Sequence, residues 1–82
     1  MTRQDIFEKV EGIFQDLLDK PDFILNEDIS QSNLQEWESL FHITLIATIE
    51  DDFGITFSSD EIDCSKKVST LIDSIMKGLD KK

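Results

Sequence analysis

The sequence predicts an all-α fold, a four-helix bundle of three long helices and one short one. Three observations lead there. Apolar residues recur at helical spacing in three separate stretches, and capping or stop residues bound those stretches. The one stretch with strand-like alternation, Ile55-Thr56-Phe57, has no second stretch to pair with. With 82 residues and 39% hydrophobic content, the chain suits one domain over residues 1–82 with a modest core.

The first helix is expected from about Arg3 to Asp19. Ile6, Phe7, Val10, Ile13, Phe14, Leu17 and Leu18 fall on one face at i, i+3, i+4 and i+7. Thr2 and Asp5 have the spacing of a capping box, with aspartate in the glutamate position, and Pro21 marks the end. The second helix is expected from about Ser39 to Asp52. Leu40, Phe41, Ile43, Leu45, Ile46, Ala47 and Ile49 cover most of its circumference, so it is either central or presents an apolar patch to a partner. Gly54 suits a left-handed cap directly after it. The last long helix, about Lys66 to Leu79, carries a clean stripe of Val68, Leu71, Ile72, Ile75, Met76 and Leu79. Ser65 is its expected N-cap, and Lys77, Lys81 and Lys82 favour its negative end.

Between the first two helices, residues 21–38 form a connector that is long for so small a domain, and long ordered loops are often functional. Phe23, Ile24, Leu25, Ile29, Leu34 and Trp37 require it to pack onto the helices. In the second connector, Ser59 is placed to cap a short turn holding Glu61 and Ile62. Leu45, Ile46, Ile49, Phe57, Ile62, Leu71 and Ile75 are the expected core.

Charge narrows the function. The net charge is −10, from eighteen acids and eight bases, and no base lies between Pro21 and Ser65, a stretch with eleven acids. Nucleic-acid binding needs a basic face and is disfavoured. A one-signed acidic region steers basic protein partners and keeps the chain monomeric by self-repulsion. No apolar run is long enough to span a bilayer and no signal-type stretch follows Met1, so a cytoplasmic protein is expected. The single cysteine, Cys64, reads as a free thiol.

No G-x-S-x-G elbow, P-loop or H-E-x-x-H pattern is present, and the acidic clusters do not match an EF-hand loop, so neither an enzyme nor a metal site is expected. Ser39 and His42 share a helix, but a Ser-His pair also needs an orienting acid and an oxyanion hole; His42 reads as an exposed or interface residue.

What remains is Trp37-Glu38-Ser39-Leu40 at the end of the acidic connector, opening the central helix, with Asp51-Asp52-Phe53-Gly54-Ile55 closing it. This resembles the acyl and peptidyl carrier protein family, whose motif is Asp-Ser-Leu followed by a helix ending in an acidic-Phe-Gly-Ile sequence. The match runs without a gap from Glu38 to Ile55, and the order of helices and loops is similar over nearly the whole chain. The tryptophan before the motif is similar to stand-alone bacterial carriers. The resemblance implies an acyl-carrier-type bundle without catalytic activity. It implies that Ser39 receives a 4'-phosphopantetheine arm, covalently, from coenzyme A. A helix start, with unpaired N–H groups and a positive dipole end, suits such a phosphodiester. The bare alternative is that Ser39 only caps the helix, worth about 1 kcal/mol.

The family's role implies acyl or aminoacyl thioesters as cargo. It implies as partners a phosphopantetheinyl transferase, a loading ligase, and synthase or transferase enzymes with basic docking surfaces. Glu38, Leu40, Phe41, His42, Thr44, Glu50 and Asp51 are the expected recognition residues, with Phe41 equally suited to the core. In some members of the family the core opens to take an acyl chain; Phe57 and Ile62 would narrow that space here. One position departs from the pattern: Glu38 stands where aspartate is preferred. That departure favours a second reading, an unmodified acidic helical adaptor of the same fold that binds a basic partner.

Overall fold

The computed structural model of the chain describes residues 2–80. Helices α1 (Arg3–Leu18), α2 (Ser39–Phe53), α3 (Ser59–Cys64) and α4 (Val68–Asp80) follow in chain order. Among the described residues the only pairing of extended backbone is an isolated antiparallel bridge between Ser30 and Lys67. The expected bundle of three long helices and one short helix is the observed architecture, and Ile55-Thr56-Phe57 forms no strand.

α1 begins as its sequence dictates. The Thr2 hydroxyl accepts the Asp5 backbone N–H, and the Asp5 carboxylate accepts the Thr2 N–H, closing the capping box. Those bonds from Thr2 also hold the Asp5 carboxyl below its ordinary pKa. The end of α1 differs from expectation. The helix stops at Leu18, and Asp19 takes a left-handed conformation with φ 56°, two residues before Pro21 is reached. Gly54 caps α2 as expected, with φ 65° and its N–H donated to the Glu50 carbonyl.

α3 is capped by Ser58, one residue earlier than expected, in a second capping box with Glu61. Ser65 is not the N-cap of α4. It ends α3, and its buried hydroxyl bonds the Glu61 carbonyl and the Ser74 hydroxyl. α4 therefore starts at Val68, the first residue of its apolar stripe, and not at Lys66 as a cap at Ser65 suggests. Lys77 lies in its last turn; Lys81 and Lys82 lie outside the described residues.

The buried apolar residues form one cluster. It draws Ile6, Val10, Ile13 and Phe14 from α1, Leu45, Ile46, Ile49 and Phe53 from α2, and Val68, Leu71, Ile72 and Ile75 from α4. Leu25, Trp37, Ile55 and Phe57 complete it from the connectors. Of the seven expected core residues six are buried and Ile62 packs against the rim. The connector behaves as its composition requires, except that Ile24 is 78% exposed. It is pinned by Gln15 Nε2 donating to the Phe23 carbonyl and by the Leu25 N–H donating to Glu11. A junction at Arg3 adds to this, its guanidinium reaching both Glu27 and Asp73. The connector thus arrives at Ser39 along a fixed path.

Candidate functional site

The site is the junction where the connector becomes α2. Ser39 is exposed and is the first helical residue; the flanking N-cap is Glu38, not Ser39. Glu38 is extended (φ −98°, ψ −179°) and makes no side-chain capping bond. α1 and α3 have their first N–H groups satisfied by side chains and carry acids in the first turn; α2 has neither. Its N-terminal N–H groups and dipole are therefore open to an external anion beside the Ser39 hydroxyl.

Beside this turn lies a surface groove of about 240 Å³ lined by Gln31, Ser39, His42, Ile43, Ile62 and Lys66, with Asp63 at its edge. The Lys66 ammonium and Gln31 amide offer hydrogen-bond donors, and Ile43 and Ile62 offer apolar walls. A serine-linked phosphodiester with a slender polar arm fits this donor set. A larger hollow of about 360 Å³ shares no residue with the groove; it surrounds Arg3, Phe7, Leu25 and Glu27, whose charged groups already pair with each other.

His42 is the main surprise at the site. It is 4% exposed, where the sequence suggested an exposed or interface residue. Trp37, 2% exposed, donates its indole N–H to His42 Nδ1 at 2.9 Å, and His42 Nε2 lies 2.8 Å from the Ile62 carbonyl oxygen. An indole N–H only donates, so Nδ1 accepts and the neutral ring keeps its proton on Nε2 for Ile62. The residue is buried because both of its nitrogens are satisfied inside the protein. Phe14 stacks edge-on against Trp37 at 5.3 Å and lies 5.8 Å from Phe41, ring centroid to centroid.

The other expected recognition residues divide. Glu38, Leu40, Thr44 and Asp51 are exposed. Phe41 is half-buried against Phe14, on the core side. Glu50 is half-buried and its carboxylate accepts the Phe57 N–H at 2.8 Å, so it also holds the second connector. Ile43, not singled out from sequence, is 64% exposed beside Leu40 at 70%. Positions 40, 43, 44, 47 and 51 share one helical face, and only once the opposite face is assigned to the core must this one be outward.

Comparison with known proteins follows the same line. No family model matches the chain. The acyl carrier protein of Petrotoga mobilis is 28% identical over 79 residues, covering 96% of this chain and 93% of its own. The solution structure of a holo acyl carrier protein from Geobacter metallireducens superposes with a TM-score of 0.83 at 28% identity, covering 92% of this chain and 86% of its own. The crystal structure of an acyl carrier protein from Thermotoga maritima gives 0.83 at 26% identity, covering 96% and 92%. The chain is a carrier-type four-helix bundle. It is similar to the acyl carrier proteins, and the likeness first seen from Trp37 to Ile55 extends over nearly all of its length.

Proposed function

We propose that the protein carries acyl or aminoacyl intermediates as thioesters on a 4'-phosphopantetheine arm joined to Ser39, and that it has no catalytic activity of its own. The observation that carries the reading is the exposed Ser39 hydroxyl on the first turn of α2, a helix whose start no side chain caps. When bound, the arm supplies a thiol that forms the thioester. The chain's own residues do the rest. The open N–H groups of α2 and the Lys66 ammonium favour the phosphate charge, and Ile43 and Ile62 line its path. Tethering raises the concentration of cargo that the next enzyme meets.

The partners of this reading are a phosphopantetheinyl transferase, a loading ligase and downstream synthase or transferase enzymes with basic docking surfaces. Leu40, Ile43 and Thr44, flanked by Glu38 and Asp51, give them an apolar strip with an acidic border on α2. No helix among the described residues is long and apolar enough to cross a membrane. We place the protein in the cytoplasm as a monomer, on its acidic self-repulsion.

Intact-mass spectrometry after incubation with coenzyme A and a transferase tests the assignment. A gain of roughly 340 Da is expected, and its loss in Ser39→Ala. Glu38, one methylene longer than the aspartate usual before the serine, favours the second reading, an unmodified acidic adaptor; no mass gain with several transferases would decide for it.

A further inference from the structure

We infer that His42 is a positioning residue for Ser39, and that it makes the place of Ser39 sensitive to protons. The groups concerned are Trp37, two residues before Ser39; His42, three residues after it; and Ile62, near the end of α3. Neutral His42 holds both neighbours, accepting from the indole and donating to the carbonyl. It therefore braces the last turn of the connector and α3 against each other directly beneath the Ser39 turn.

Protonation acts on only one half of this brace. The added hydrogen goes to Nδ1, where the Trp37 N–H already points, and two donors cannot share one hydrogen bond. The indole has no acceptor to offer in return, so it must withdraw. The other half gains. Nε2 keeps its hydrogen, and a charged ring donates more strongly to the Ile62 carbonyl, near the C-terminal end of α3. Acid thus frees the connector end while α3 stays fastened.

The charged groups facing the ring do not oppose this. Asp63 on α3 and Lys66 after it line the same groove with opposite signs, and Glu38 stands one turn earlier on α2 with its carbonyl accepting the His42 N–H. From α1 the neighbour is the ring of Phe14 against Trp37. No residue of α4 lines the groove. Because Trp37 and Ser39 are separated by a single residue, a released indole moves the backbone that sets the Ser39 hydroxyl.

The brace itself does not rest on the modification of Ser39; its consequence for the cofactor arm rests on the proposed function. The test uses the full unmodified chain, by NMR, followed from neutral into acid pH. The exchange rate of the Trp37 indole hydrogen, corrected for intrinsic pH dependence, is expected to rise about tenfold at the acid end, the factor for losing about 1.4 kcal/mol of protection. The Ser39 amide resonance should shift with it. The amides of Ile62 to Ser65 should keep their protection. His42→Gln, which cannot ionise, should abolish both responses, and Trp37→Phe, which keeps an aromatic ring but removes the donor, should abolish the Ser39 shift. Unchanged indole protection, or α3 amides loosening together with the indole, overturns the proposal without any variant being needed. Loading of wild type and His42→Gln with coenzyme A in one reaction separates the two readings. If neither gains mass while the NMR response is present, the carrier assignment fails and the brace stands. If both load at a ratio independent of pH and the NMR is flat, the brace fails and the carrier assignment stands.

Discussion

Two of the side-chain junctions that fasten the long connector to the helices are built on opposite terms. At Arg3 the guanidinium reaches the Glu27 and Asp73 carboxylates, tying the connector to α1 and α4; the side chains there are 37%, 44% and 65% exposed. At His42 an uncharged chain of Trp37, imidazole and the Ile62 carbonyl ties the connector to α2 and α3 inside the protein. Exposed ion pairs gain little, because water and salt screen them and long side chains lose freedom. Buried neutral hydrogen bonds gain little in forming but are costly to leave half-made. The Arg3 junction can thus be altered cheaply. The His42 junction, which lies beside Ser39, cannot.

This contrast can be broken in order of expected size. Trp37→Ala removes the largest fully buried side chain and one end of the neutral chain. It should cost about 3–5 kcal/mol by chemical denaturation; a loss below about 1 kcal/mol would show that the junction carries little. His42→Phe keeps a ring in place but strands the indole N–H and the Ile62 carbonyl. A loss of about 1–3 kcal/mol, unchanged by salt, is expected in denaturant titrations at low and high ionic strength.

Arg3→Met should cost less than about 1 kcal/mol, most of which disappears near 1 M salt. The same variant carries a pH signature. Hydrogen bonding to Arg3 lowers the Glu27 pKa, so that carboxylate stabilises the fold above the ordinary carboxylate range and ceases to do so as pH falls through its lowered folded value. Thermal melts across acid pH should therefore fall less steeply in Arg3→Met than in wild type. The smallest effects come from two helical glycines. Gly12 in α1 has open space where a Cβ would go, so Gly12→Ala should gain about 0.5–1 kcal/mol. At Gly78 in α4 the new Cβ would stand 3.2 Å from Ile55 Cδ1, and that gain should vanish or reverse.

The legible and illegible parts of the sequence divide on similar physical lines. Local signals were readable: the apolar stripes of α1 and α4, the Thr2–Asp5 box, Gly54 after α2, and the exposed Ser39 at a helix start. Signals that depend on what lies opposite were not. α2 is apolar around most of its circumference, so its pattern could not say that Ile43 faces outward and His42 inward. His42 became buriable only through two partners, five and twenty residues away. Ser65 has the right chemistry for an N-cap of α4, but the connector claims that place: the Val68 and Ser69 N–H groups bond the Ile29 and Glu27 carbonyls, and Ser65 turns back to finish α3. Asp19 ended α1 in a conformation usually left to glycine, which no motif announces.

Trp37 is the only tryptophan in the chain, and there is no tyrosine. Its indole is in contact with the imidazole of His42, and a charged imidazole quenches excited indole where a neutral one scarcely does. The protein's own ultraviolet emission therefore reports, without any label, on the ring lying beneath the turn that bears Ser39.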